Sequence, residues 1–236
     1  MKIKNLIGSI VIIIFILGVS GCMKTTEKIS VQDEMMSHMT EKYGEEFEFI
    51  NIGTESWSTS FTEMIVHPSK FPNGRIVVRR NPETGVTSDN YTDFLMKDKI
   101  ESEIQNVANE IYSKCKVLYT PGGTTLPEKI KPSMSVKEYS KAKGLPMPIT
   151  ICIDDSEPNL TKDEYIEKFR KALAAKEYCC NIFVFYLLEG KLELINDIIE
   201  PKLFTGSSDS DWSIIRGDFG MNDAYEFDMS GWRDIR

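Results

Sequence analysis

Five cysteines, two histidines and 36 carboxylates are the side chains from which this chain could build a reactive site. Cys179 and Cys180 are adjacent, and neighbours on a strand point to opposite faces. They are poorly placed to share one metal ion or to act as a redox pair. A bridge from Cys152 to one of them is more plausible if their strands are neighbours. With Cys115, these cysteines allow two disulfides in an oxidising compartment, in three pairings. Some would serve equally as small buried hydrophobes. A nucleophilic thiol needs a base within hydrogen-bond reach. His38 and His67 have no spacing to any cysteine that would supply one. Structural or disulfide roles are therefore favoured.

The densest acidic group is Asp154, Asp155 and Glu157, expected at a strand end before a helix. Three carboxylates there could hold a hard cation such as calcium. Acids before a helix also answer its dipole and solvate a loop. Asp209, Asp211 and Asp218 form a looser set without EF-hand spacing. Lys70, Arg75, Arg79 and Arg80 make a local basic patch that could meet an anionic wall polymer or an acidic partner. The plainer reading is a row of long cations on an exposed strand face. There is no phosphate-binding glycine loop, and no G-x-S-x-G, H-E-x-x-H or C-x-x-C. No cofactor is called for beyond the calcium that the acidic group could take.

The chain begins MKIKNLIGSIVIIIFILGVSGC. Lys2 and Lys4 form a positive start, Leu6 to Val19 an apolar run, and Ser20 and Gly21 a small-residue site, which is the pattern of a secretory signal. Val19-Ser20-Gly21-Cys22 resembles the lipobox of bacterial lipoproteins, with valine where leucine is commonest. The resemblance implies removal of residues 1–21 and a diacylglyceryl group on the thiol of Cys22. Palmitate-type acyl chains would then hold the protein at the outer face of the cell membrane. Two other readings are an uncleaved anchor, because 19 residues from Asn5 to Met23 carry no charge, and a plain signal cut near Gly21. All three place residues 23–236 outside the cytoplasm. An Ile- and Lys-rich composition suggests a Gram-positive-type envelope.

Loss of the leader takes the net charge from −8 to −10. An acidic exterior argues against nucleic acid and against electrostatic adhesion to anionic lipid. The membrane is therefore met through acylated Cys22. With 41% hydrophobic and 10% aromatic residues the chain can build a packed core.

Residues 22–29 read as a tether. Residues 30–120 read as a first lobe: a helix with Val31, Met35, Met39 and Tyr43 on one face, a three-stranded meander, and a long helix from about Thr92 to Lys114. The methionine stripe is core packing rather than a thioether metal site. The order helix then meander over about 30–114 is loosely similar in topology to cystatin-like or peptidase-propeptide-like modules, some of which are inhibitors or binding units. Residues 121–134, with Pro121, Gly122, Gly123, Pro127 and Pro132, read as a linker. Residues 135–236 read as a second lobe. Ser135 with Glu138 and Thr161 with Glu164 are capping boxes. Asn181 to Leu188 is apolar on both faces and reads as a central strand, with Lys191 to Ile198 as its hairpin partner. Beyond Pro201 the expectation is irregular structure with short strands near Trp212–Ile215 and Ala224–Phe227. The class is α+β, with helices packed on largely antiparallel sheets.

The resulting expectation is a lipid-anchored envelope protein whose body is a non-catalytic binding or interaction module, meeting an envelope protein or ligand. The alternatives are an envelope hydrolase using carboxylates, or Cys179 or Cys180 with a histidine, and a divalent-cation-binding protein.

Overall fold

A computed structural model describes residues 30–235 apart from 55–60, 72–73, 155–160 and 205–210. Cys22 with its leader and tether, and Asp155, Glu157 and Asp209, lie outside the described residues. The class is α+β. Helix α1 (Val31–Tyr43) leads into a four-stranded antiparallel meander: β1 (Phe47–Thr54), β2 (Thr62–Pro68), β3 (Ile76–Arg80) and β4 (Thr87–Asp89). Two short-linked helices follow, α2 (Tyr91–Leu95) and α3 (Lys97–Asn109). A second, five-stranded sheet has the order β5-β6-β7-β8-β9. It comprises β5 (Cys115–Tyr119), β6 (Met147–Asp154), β7 (Cys180–Leu187), β8 (Ser213–Met221) and β9 (Phe227–Asp234), with helices α4 (Val136–Lys143) and α5 (Lys162–Ala175). Among the described residues no helix is long and apolar enough to cross a membrane.

Local chemistry explains the helix limits. Ser135 Oγ accepts the Glu138 N–H, and the Glu138 carboxylate accepts the Ser135 N–H at 2.8 Å. Thr161 and Glu164 repeat the arrangement. Each reciprocal cap satisfies two backbone donors that the first helical turn leaves free. At its other end α4 stops on Gly144 at φ +65°, a conformation that costs a residue with a Cβ.

The first sheet uses its two faces differently. Met64 and Val66 of β2 and Ile76 and Val78 of β3 alternate inward and pack with Met35 and Met39 of α1, Phe47 and Tyr91. The methionine stripe is therefore core, as its spacing indicated. Glu63, Val77 and Arg79 lie on the opposite face, with Glu63 opposite Arg79 in the ladder.

The second sheet is covered on both faces. Ile149, Ile151 and Ile153 alternate toward α3, α4 and α5, while Cys152 faces a smaller cluster with Phe185, Leu187, Ile195 and Leu203. Strand β7 is central and its flanks are mostly buried, as its two-sided apolar run required. Its pairing with β6 is parallel, through the α5 crossover.

Five expectations are corrected. The meander has four strands rather than three, because Thr87–Asp89 returns to pair with β3 as β4. The long helix is interrupted at Met96 and ends at Asn109. Its face of Ile100, Ile104 and Val107 is buried in the core of the second sheet, not the first. At roughly 1.5–3 kcal/mol for each fully buried aliphatic chain, that face decides where the helix belongs. The 121–134 segment is not a free linker: Leu126 N–H donates to Asp89 O at 2.8 Å, and Asn90 Nδ2 donates to Gly122 O at 2.7 Å. The partner of β7 is β8, while 192–194 and 200–204 form 3₁₀ turns. The C-terminal part is a long β8–β9 hairpin. Gly217 makes room for rings rather than breaking the strand: a Cβ there would stand 2.5 Å from both Phe219 and Trp232. Trp232 is the cross-strand partner of Gly217, so ring surface replaces the missing side chain.

Candidate functional site: a cleft with two charged walls

The outer face of the first sheet forms one wall of a cleft of about 790 Å³. Glu63, Arg75, Val77 and Arg79 come from β2, β3 and the residue preceding β3, with Lys70 and Phe71 beside them. Glu63 is 8% exposed and its Oε2 accepts from Arg79 Nε and Nη2, both at 3.0 Å. Arg79 also lies over the Phe61 ring, 5.3 Å from its centre. Arg75 Nη2 is 3.6 Å from the other Glu63 oxygen, and its side chain is 71% exposed. One carboxylate thus serves two guanidiniums, and with Lys70 the wall carries an excess of positive charge.

The facing wall is built by the start of α3 (Lys97, Asp98), the segment Tyr119–Gly123 after β5, and the Asp197–Pro201 turn. Lys97 Nζ contacts Glu101, lies 3.1 Å from Asp197 and donates to Tyr119 O at 2.9 Å. Burial works against its charge, but the Glu101 and Asp197 carboxylates outweigh it and hold the ammonium above the ordinary lysine range. Glu200 is 6% exposed; its Oε1 accepts from Thr120 Oγ1 at 2.9 Å and Thr150 Oγ1 at 2.5 Å. With Asp98, Asp197, Glu200 and the nearby Glu101 against one lysine, this wall is acidic. Phe94, Pro121, Ile198 and Pro201 add apolar surface.

A buried polar cluster holds the junction behind the cleft. Asp93 of α2 has no exposed surface. Its carboxylate accepts from the Tyr119 and Tyr139 hydroxyls, from Lys143 Nζ at 3.0 and 3.1 Å, and from Gly122 N–H at 2.7 Å. Burial, followed by the Asp93 charge, pushes both tyrosines well above the ordinary range, so they remain donors. Asn90 extends the clamp, accepting Val77 N–H on Oδ1 and donating to Gly122 O. A second cluster surrounds Asp89: Lys42 Nζ and the Tyr43 hydroxyl each donate at 2.6 Å, and Tyr91 N–H at 2.9 Å. Burial works to raise the Asp89 pKa. His38 close by, with Nε2 at 3.8 Å, and the bonds from Lys42 and Tyr43 outweigh it and hold the carboxyl below the ordinary range.

The residues singled out by sequence fall in different places. Lys70, Arg75 and Arg79 line the cleft. Arg80 points away beside Gly85, because successive strand residues face opposite sides. The basic patch is thus three residues on one face, not four. The four cysteines are free thiols. In the parallel register Cys180 stands beside Met147 and Cys152 beside Phe185. At about 3.3 Å per residue that is roughly 16 Å along the strands, and the two thiols face opposite clusters. A Cys152–Cys180 bridge is excluded. Burial pushes the thiols of Cys152 and Cys180 far up and that of Cys115 up to about 11, while Cys179 is also raised. Neither histidine lines the cleft. Asp154 ends β6, outside the cleft. Asp218 is paired with Arg216 and Arg233. Among the described residues no group of three His, Cys, Asp or Glu side chains is placed to hold a metal.

The sequence reading gave no site role to Asp89, Asp93, Lys97, Tyr119, Lys143 or Glu200, and read Tyr139 only as a staple partner of Met134. Asp93 and Lys143 lie 50 residues apart on different helices, and nothing in the spacing links them.

No family model matches the chain, and no curated protein matches it. A solved structure of a DUF5037 family protein from Ruminococcus gnavus ATCC 29149 is similar at 16% identity and a TM-score of 0.39, over 70% of this chain and 78% of that one.

Proposed function

We propose that this is a lipid-anchored protein of the cell envelope that binds a small ligand in the cleft between its two sheets and does no covalent chemistry on it. The observation that carries the reading is the cleft itself. Its volume falls in the range of small-molecule sites. Glu63, Arg79, Lys97 and Glu200 are held by neighbours rather than left to move in solvent, which limits the ordering cost of binding. The leader and the lipobox-like Val19-Ser20-Gly21-Cys22 support anchoring through Cys22.

Two measurements test it. Metabolic labelling with palmitate should mark the wild-type chain and not Cys22→Ala; equal labelling, or none in either, removes the anchor. Native mass spectrometry of the full chain, released gently from its own membrane, should show a bound molecule of a few hundred daltons. Arg75→Glu combined with Asp197→Lys, two exposed changes, should abolish that mass. A bound mass that persists in the folded variant would place the ligand elsewhere.

A further inference from the structure

The opposed charge of the two walls identifies the chemical class of ligand. We propose that the cleft selects a zwitterion of peptide type, with a free carboxylate and a free ammonium group; this rests on the small-ligand reading above. The wall from β2 and β3 sets Arg75, Arg79 and Lys70 against the single carboxylate of Glu63. Arg79 is committed to Glu63 by two bonds, which leaves the exposed Arg75 and Lys70 to meet an incoming carboxylate. Guanidinium groups suit a planar carboxylate because they present paired donors. The facing wall carries Asp98, Asp197 and Glu200 against the single cation Lys97, whose ammonium is held by Glu101 and Asp197. Glu200 is over nine-tenths buried and lines the cleft, with one oxygen held by two threonine hydroxyls. A charge buried this far is stabilised by an opposite charge brought beside it. A purely anionic ligand would be repelled by this wall, and a purely cationic one by the other. Phe71 on the basic side and Phe94 and the 71% exposed Ile198 on the acidic side offer apolar surface to the body of a ligand. A molecule with opposite charges at its ends and apolar side chains between them meets all three features.

The test uses the full chain in mild detergent at low salt. Equilibrium dialysis with mass-spectrometric readout compares three equimolar tripeptide mixtures: free termini, N-acetylated, and C-amidated. Members of the free mixture should be retained, and either block should weaken retention at least about tenfold, the loss of one charge-assisted contact. Arg75→Glu should erase the preference for a free carboxylate and keep that for a free amine. Asp98→Asn with Asp197→Asn should do the reverse. These side chains are exposed, and a melting curve within about 2 °C of wild type shows that the fold persists. Equal retention of acetylated and free peptides overturns the zwitterion inference but leaves a ligand cleft. Retention of no peptide, while the native bound mass is an anion lost on mutating the cleft, also overturns it and keeps the function. Retention of no peptide together with no native bound mass overturns both.

Discussion

Replacing Lys143 by methionine isolates the contribution of the buried junction. The lysine side chain is 6% exposed and Asp93 is 0% exposed, with the ammonium 3.0 and 3.1 Å from the two carboxylate oxygens. Were the pair on the surface, its loss would cost about 1 kcal/mol or less. Buried, the loss of one partner strands a charge, and the usual cost is about 3–5 kcal/mol. Asp93 would keep two tyrosine hydroxyls and the Gly122 N–H. Those donors put the expectation near the lower end, about 3 kcal/mol. Methionine retains the apolar stem of lysine, so lost packing adds little. For a chain of this size each kcal/mol moves Tm by about 2–4 °C, which predicts a fall of about 6–12 °C. Circular dichroism melts of the full chain at pH 7 read it directly. Asp93→Asn and the double variant complete a cycle, whose coupling should be about 1 kcal/mol or more. A fall below 2 °C, or strictly additive single changes, would refute the claim that this ion pair holds the junction.

Three further outcomes follow from other parts of the fold. Gly217→Ala puts a Cβ within 2.5 Å of two aromatic rings; overpacking of this kind should cost about 1–3 kcal/mol in urea unfolding, and an unchanged midpoint would mean that Trp232 does not lie over Gly217. The Asp89 carboxyl is held below its ordinary pKa by its partners, so its contribution is complete above about pH 4 and is lost as pH falls through the folded-state value. Asp89→Asn should therefore flatten the fall in unfolding midpoint below about pH 4, and an acid limb as steep as wild type would contradict the assignment. Unfolded in guanidinium without reductant, the chain should alkylate fully at Cys115, Cys152, Cys179 and Cys180, while the folded chain at pH 7 should leave Cys152 and Cys180 unmodified; mass spectrometry showing any bridge among the four would overturn the free-thiol arrangement.

The elements that were legible in the sequence are those set by local forces. The capping boxes at Ser135 and Thr161, the stop at Gly144 and the two-sided apolar run of β7 all declare themselves within a few residues. What was hidden depends on distant partners. Ile100, Ile104 and Val107 show a helical face, but not which sheet receives it. Gly217 of β8 looks like a break until Trp232, fifteen residues beyond it, is placed across it. The Lys191–Ile198 run alternates like a strand, yet β7 already has β6 and β8 as neighbours. Lys70, Arg75 and Arg79 were visible as a patch; the carboxylates that face them come from two separate segments, α3 and the Asp197–Pro201 turn, and carry no common spacing.

The end of β5 shows why junction and cleft are one device. Tyr119 sends its hydroxyl to Asp93, its carbonyl accepts from Lys97, and its N–H donates to Glu101 at 2.8 Å. The next residue, Thr120, holds Glu200. Gly122 then returns to Asp93 and Asn90. Tyr119 and Thr120 therefore hold Glu101 and Glu200 of the acidic wall, and the buried carboxylate of Asp93 ties the run at Tyr119 and at Gly122. A wall set this way keeps its charge positions before a ligand arrives, which is where preorganised sites gain affinity. It also ties ligand binding to the junction: a bound zwitterion that bridges the walls should raise Tm more in wild type than in Lys143→Met, because only an intact junction holds both walls in register.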